Sequence, residues 1–578
     1  MRRWWTPAIV FAAALALRGA VVVQLDGTAL FRTPELDSIE YFTWAQQIAH
    51  GDFTSPAAPP HGPGYPFFLA ALLFITRGSM FAVHMLQAVA GSITAVLIAL
   101  IAKRIAGEKA ALGAGLFAAL YGPLALIDVS ILAEGLFVLL LSASLLAVVE
   151  CTQSARPRAM LFFAGTALGL AIIVRPTAAL LVPIYLYFVW RRTPRMAVLL
   201  FALATAYPVL PVLAHNWLST GDLLAIQSGG GMNFYIGNSP LHDGTAWARP
   251  GGTWDWLRGE AWRAGIRGAA KEDQYYAGKT LAEIGEMPAR SLALVARKLI
   301  WLTQTEEIRD SHSFDFFLQR APLLRVAIRF SVLLPFAVFG IWTRGRLSAG
   351  PTWLLIAYLI AMSLGVVALV VGMRYRAPVL PALFVFAGIG VAALMERRRI
   401  VAFAITFVIV FALTHIWRHA PTHDIAEEWA MEGIALGKER RVVEAVGAFG
   451  RANQLDPRLG IGWTGRGDVE LPLGRLLGAE RDYTQSINVD PHHARAYAHL
   501  ALVRSAQHDR AAAIALLQEA IAIRPEEEAL YNLSGFLFAS GDLDGAEKIL
   551  QEMLMLNPND GEAALGLARI AEKRWQRH

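Results

Sequence analysis

Residues 80–102 read MFAVHMLQAVAGSITAVLIALIA, with no Asp, Glu, Lys or Arg until Lys103 and Arg104 close the run. A helix of about 20 such residues crosses roughly 30 Å of hydrocarbon, and soluble domains rarely exclude charge for so long. Stretches of the same character recur at about 7–25, 110–127, 131–150, 159–174, 177–190, 196–214, 323–342, 352–371, 377–395 and 400–416. They predict an all-α polytopic membrane bundle of about eleven transmembrane helices. Composition agrees: of 578 residues 55% are hydrophobic and 17% charged, where soluble proteins carry about 25% charged. The 28 Pro and 49 Gly follow no period, which excludes a collagen-like chain, and the single Cys151 excludes an internal disulfide framework or Cys-cluster metal site.

Charge divides the chain. Residues 1–420 carry 35 Lys+Arg against 22 Asp+Glu, and residues 421–578 carry 17 against 24. A basic membrane domain over 1–420 and an acidic soluble domain over 421–578 follow, with a short linker near His419, Ala420 and Pro421. Basicity of this kind reflects topology rather than nucleic-acid binding. With a cytoplasmic N-terminus, the clusters Arg2/Arg3, Lys103/Arg104/Lys109, Arg156/Arg158, Arg191/Arg192/Arg195, Arg344/Arg346 and Arg397/Arg398/Arg399 all fall inside. Loops 26–79 and 215–320, the turn near Asp128, Arg374-Tyr375-Arg376 and the C-terminal domain then face outward, as expected of a bacterial inner or plasma membrane protein. Arg2-Arg3 ahead of Trp4 to Leu17 also resembles a cleavable signal peptide, although Arg18 stands where small residues belong.

A period of 34 governs the last 150 residues. Pro457, Pro491 and Pro525 are 34 apart, and Pro558 follows. So are Trp429, Trp463 and Tyr497; Gly433, Gly467 and Ala501; Phe449, Tyr483 and Leu517; and Ala452, Ser486 and Ala520. In each unit a small residue admits a close antiparallel helix, an aromatic fills the gap and proline ends the second helix. The pattern resembles a tetratricopeptide repeat α-solenoid of four units and a terminal helix near 560–576. Such arrays dock protein segments on a concave face, or serve as spacers or self-association modules.

The first outer loop runs Pro34-Glu35-Leu36-Asp37-Ser38-Ile39-Glu40-Tyr41, continues amphipathically from Phe42 to His50, and reaches His61-Gly62-Pro63-Gly64-Tyr65-Pro66. Asp37 and Tyr41 share a face if Ser38 to Ala49 is helical. A carboxylate at the wet end of a membrane cavity can take a proton from a hydroxyl, bind a cation, or merely cap the following helix. Asp128 and Glu134 flank a second outer turn, and ionisable residues at membrane depth are costly enough to suggest function, or a bond to a neighbouring helix.

The acidic first loop, its amphipathic helix, the Pro-Gly-Tyr-Pro turn, Val174-Arg175-Pro176-Thr177 and Arg374-Tyr375-Arg376-Ala377-Pro378 resemble, over roughly residues 1–400, the GT-C membrane glycosyltransferases of the protein O-mannosyltransferase and aminoarabinose transferase type. The resemblance implies a polyprenyl-phosphate-linked sugar as donor and Asp37 as general base of an inverting displacement. The family's loop often has adjacent Asp-Glu, whereas Ser38 follows Asp37 here, so Glu40, Asp128 and Glu134 are the candidates for a second carboxylate. Arg175 and Arg374 suit a lipid phosphate, since guanidinium groups bind phosphate oxygens bidentately and both lie at outer ends of apolar segments. Arg376 is the weaker candidate, able to snorkel to headgroups.

The long outer loop contains Gly229-Gly230-Gly231-Met232-Asn233-Phe234-Tyr235-Ile236-Gly237-Asn238, with Asp243-Gly244 downstream. Asn233, Tyr235 and Asn238 join Tyr41 and Tyr65 as candidate substrate-loop residues, with an exposed turn as the plain alternative. No Walker or dinucleotide motif is present, and His215, His242, His312 and His415 lack paired metal spacing. No cofactor is called for, though a divalent ion stays open. The expectation is a glycosyltransferase carrying sugar from a polyprenyl phosphate to an extracytoplasmic acceptor. The repeats favour protein, as in the transmembrane tetratricopeptide O-mannosyltransferases that the chain resembles. Transfer to a lipid or envelope polysaccharide, or a non-catalytic scaffold, are the alternatives.

Overall fold

The computed structural model describes residues 5–52, 59–151, 154–220, 226–243, 245, 249–305, 307–310, 313–344, 350–395, 399–415, 424–556 and 560–576. Arg2, Arg3, Trp4, Gly244, His312, Arg346, Arg397, Arg398, Pro558 and the linker at His419 to Pro421 lie outside them. The described residues form helices and two isolated bridges, with no strand among them. The chain divides into two compact units, Met1–Ala246 with Lys279–Ala420, and Trp247–Gly278 with Pro421–His578. Residues 247–278, part of the long loop by sequence, thus group with the repeats.

Among the described residues of the first unit seven helices are long and apolar enough to cross a membrane: Trp5–Leu25, Met80–Ala106, Ala133–Glu150, Pro157–Val174, Arg195–Leu218, Gly350–Ala368 and Arg374–Leu394. Gly64–Thr76, Pro176–Trp190, Phe330–Arg344 and Ile400–His415 are apolar but shorter. In lipid, helix association depends on close packing rather than on hydrophobic contrast, so small residues mark the contacts. A Cβ on Gly340 would collide with the Phe386 carbonyl, and one on Gly388 with that of Ala110.

The expected helix over 110–127 is instead two, Glu108–Leu120 and Gly122–Val129. Pro123 lacks an amide hydrogen and starts the second helix, and Leu120 and Gly122 bond to both sides of Ile328. The break sets Asp128 facing Arg18 of the first helix at 2.7 Å, both side chains fully buried. Arg18 also donates to the carbonyls of Ala118 and Ala119. Gly91 is required there, because a Cβ on it would collide with Asp128 Oδ2 and lie 2.7 Å from Arg18 Nε.

Among the described residues from 424 on, the second unit holds four helix pairs, Asp424–Lys438 with Val442–Leu455, Gly460–Glu470 with Leu476–Val489, Ala494–Ala506 with Arg510–Ile523, and Glu527–Ser540 with Leu543–Leu556, then Gly561–Trp575. The periodic residues meet as their spacing requires. A Cβ on Gly433 would lie 2.7 Å from the Phe449 ring, and one on Gly467 2.7 Å from that of Tyr483. The solenoid core continues through Ala501, Leu517 and Ala520.

Candidate active site

Asp37 opens the helix Asp37–Ala49, whose N-cap is Leu36 rather than Asp37 itself. Leu36 has φ 54°, a region that costs a branched residue about 1–3 kcal/mol and persists only where surroundings impose it. Ser38 supplies part of that constraint by donating to the Ile131 carbonyl at 2.9 Å. Within the helix Tyr41 is buried, edge-on to Tyr65 and tilted against His61. Tyr65 donates to Gln87, which donates to the Ser130 carbonyl, while His84 Nδ1 lies 2.6 Å from the Val129 carbonyl. The span Met80–Ala106 therefore pins the turn from which Glu134 enters the next helix.

Arg175 ends the helix Pro157–Val174 in extended conformation, as a residue before proline must. The His61-Gly62-Pro63-Gly64 turn packs on this helix end, where a Cβ on Gly62 would collide with the Ile173 carbonyl and one on Gly64 would lie 2.6 Å from Val174. From here Arg175 pairs with Glu134. Arg374 begins a 3-10 turn, Arg374–Val379, and its backbone N–H donates to Asp310 at 2.9 Å. Its guanidinium meets Asp37 at 2.6 Å, Asp310 at 3.4 Å and Glu134 at 3.9 Å. The Tyr375 ring lies near both cations, 5.2 Å from Arg175 and 5.0 Å from Arg374.

One cluster thus collects Asp37, Glu134, Asp310, Arg175, Arg374 and Tyr375. Burial raises the Asp37 carboxyl, but the Arg374 guanidinium outweighs it and holds the group well below the usual carboxylate range. The buried Tyr41 phenol is pushed above its ordinary range. Arg374 Nη1, Arg175 Nε and Glu134 Oε2 are buried without a hydrogen-bond partner among the described residues. Glu134, Arg175, Arg374 and Tyr375 line the polar end of a small cavity of about 40 Å³, whose remaining wall includes Met362, Val366, Leu369 and Pro378. Buried guanidinium donors beside an apolar wall suit an amphipathic ligand with an anionic head. A second cavity lies against Glu40, Tyr41, Trp44, Gln47 and His61.

Other residues singled out from sequence lie apart. Glu40 is exposed and pairs with His61 at 3.0 Å. Asp128 is taken by Arg18, and Arg376 by Glu307 at 2.8 Å and the Gln304 carbonyl at 2.7 Å. The glycine-rich stretch is a helix, Gly230–Asn238, where a Cβ on Gly237 would collide with the Leu369 carbonyl. Asn238 donates to the Ala368 carbonyl and accepts from Lys298, which also donates to Val367 and Leu369. Both side chains cap the end of Gly350–Ala368. Tyr235 is buried near Glu283 at 3.5 Å, and Asn233 is part-buried on the same helix. The sequence reading missed Asp310 and Glu307; their signal was an acidic run, Glu306 to Asp310, ending the long loop. Among the described residues no group of three or more His, Cys, Asp or Glu is arranged to hold a metal ion.

The family model for dolichyl-phosphate-mannose-protein mannosyltransferases matches residues 60–217, which include Glu134 and Arg175 but neither Asp37 nor Arg374. A tetratricopeptide repeat model matches residues 537–574. No curated protein matches the chain significantly. Among solved structures, the archaeal oligosaccharyltransferase AglB from Archaeoglobus fulgidus, in complex with an inhibitory peptide and a dolichol-phosphate, is similar at 14% identity over 75% of this chain and 58% of that one, with TM-score 0.41. MamA is similar at 21% identity over 26% of this chain and 85% of its own, with TM-score 0.23. YrrB, a repeat protein with an unusual peptide-binding site, is similar at 17% identity over 26% of this chain and 79% of its own, also with TM-score 0.23.

Proposed function

We propose that the chain is a membrane glycosyltransferase that moves one sugar from a polyprenyl-phosphate carrier to a protein hydroxyl outside the cytoplasm, with inversion. The observation that carries this is the cavity whose polar end holds Arg175 and Arg374 and whose wall is apolar, with the Asp37 carboxylate 2.6 Å from Arg374. The family match over 60–217 supports the donor class, and the repeat array supports a protein acceptor.

Three carboxylates, Asp37, Glu134 and Asp310, face two guanidinium groups, so a phosphate that engages both cations competes with these carboxylates. Asp37 is the one to yield, being 32% exposed against 1% for each of the others. Phosphate on Arg374 releases Asp37, whose basicity then rises because its cation is engaged. The freed carboxylate takes the acceptor's proton, the acceptor oxygen attacks the anomeric carbon, and the bond to the phosphate oxygen breaks. Its electron pair leaves with the lipid phosphate, and the added negative charge falls to Arg175 and Arg374. Donor binding thereby arms the base.

The test is transfer of radiolabelled sugar from a panel of polyprenyl-phosphate donors in membranes containing the protein. Label in protein supports the proposal, label in lipid or polysaccharide moves the acceptor class, and no label from any donor overturns the glycosyltransferase reading.

A further inference from the structure

Three residues of the repeat unit stand immediately before the periodic prolines: Asp456, Asp490 and Arg524, spaced by 34. Each lies in the turn joining one repeat to the next. Each is engaged by the segment that this unit takes from the long loop, at positions three apart. Arg249 pairs with Asp456, and lies 3.5 Å from Glu427. The Gly252 backbone N–H donates to Asp490 at 2.7 Å. Asp255 accepts from Arg524 at 2.9 Å and from the backbone N–H of Ala494 at 3.0 Å. Next to the last rung residue, Trp256 stacks on His492 with ring centroids 4.2 Å apart. Arg263 donates to the Ile523 carbonyl at 2.6 Å.

Sterics fix the same register. A Cβ on Gly252 would collide with Asp490, and one on Gly259 with the Ile523 carbonyl. Gly251, with φ 102°, turns the chain between the first two rungs in a conformation that favours glycine.

We propose that the turn edge of the array is a docking surface whose resident ligand is this chain's own segment 249–263, read one residue per repeat by the pre-proline position. The charge order of the edge, acid, acid, base, is met by a base, a neutral amide and an acid, so a slip by one repeat brings Asp255 against Asp490. Tethering within one chain gives an effective concentration in the millimolar range, so the edge stays filled and outside partners must use other surfaces. This inference is independent of the glycosyltransferase reading.

The test uses the full-length chain with a protease recognition sequence inserted between Ala420 and Pro421. After purification in detergent and cleavage, the repeat fragment is expected to co-elute with the rest of the chain, held by 249–263. Arg524→Lys keeps the charge and retains the fragment. Arg524→Asp sets two acids together and weakens retention about tenfold or more. Gly259→Ala, which lies outside the repeat helices and so spares their folding, releases the fragment by collision. Release of the wild-type fragment on cleavage, or retention of both the Arg524→Asp and Gly259→Ala fragments, overturns the proposal.

Discussion

Asp37→Asn separates catalysis from architecture. In the structure Asp37 gives Arg374 one contact at 2.6 Å, and its side chain is 32% exposed against 6% for the guanidinium, so water screens the pair from the Asp37 side. Arg374 is not orphaned by the change, since Asp310 still accepts its backbone N–H and lies 3.4 Å from its Nε. Asparagine keeps the shape but cannot accept a proton, and loss of a general base costs about 10²–10⁴-fold, or roughly 3–5 kcal/mol of barrier. Donor binding moves the other way, because the competing carboxylate has left Arg374. The assay is single-turnover sugar transfer alongside donor binding in matched membranes. The expected result is a kcat down by about two to four orders of magnitude with unchanged abundance and equal or tighter donor binding. Turnover above about half of wild type, or loss of folded protein, refutes the assignment.

Four further results are expected. Arg374→Met removes the guanidinium that faces the cavity and weakens donor binding, so the KM for donor rises as kcat falls in steady-state transfer. Because Arg374 holds Asp37 ionised, kcat/KM, which reports the free enzyme, persists to a pH below the ordinary carboxylate value of about 4. With phosphate bound to Arg374 the acid limb of kcat lies at higher pH, and coincident limbs contradict the exchange. Gly91→Ala drives a methyl into the Arg18–Asp128 pair and costs about 3–5 kcal/mol, read as a lowered unfolding temperature in detergent. A reporter fused after Arg399 reads cytoplasmic and one after His578 extracytoplasmic, as an odd number of crossings requires.

The repeat unit adds a pH signature of its own. Burial pushes His493 down to about 4, so its contribution is present above the unfolded value near 6.5 and is lost as pH falls through 4. For His499 burial opposes charging, but the bond to Asp468 outweighs it and lifts the group to about 9, so its contribution is complete below 6.5 and lost as pH rises through 9.

What the sequence discloses follows what each interaction demands of it. Helix pairs need a small residue against an aromatic at one crossing, so Gly433 with Phe449 and Gly467 with Tyr483 leave a period of 34 in plain view. Charges at the ends of apolar runs stand out because lipid punishes them, which made Glu134, Arg175 and Arg374 candidates, while Asp37 stood out in the acidic first loop through the family resemblance. Their partners were not, because pairing across the bundle leaves no local pattern. Asp310 is 64 residues from Arg374, and Arg18 is 110 from Asp128. The stretch from Gly229 to Asn238 looked like a loop because glycine predicts turns, yet its glycine at 237 serves close packing on the Leu369 carbonyl. Residues 249–263 were overlooked although Asp456, Asp490 and Arg524 carry the period, since charge on a turn passes for solvation.

The exchange of carboxylate for phosphate at Arg374 is the point on which the proposed mechanism depends. It is tested most directly by a cryo-electron microscopy structure of the full chain with a polyprenyl phosphate bound. The predicted result is a phosphate within hydrogen-bonding distance of Arg374 and Arg175, with its chain along Met362, Val366 and Leu369 and with Asp37 turned away from the guanidinium. A phosphate bound elsewhere, or bound with the Asp37–Arg374 pair intact, contradicts it.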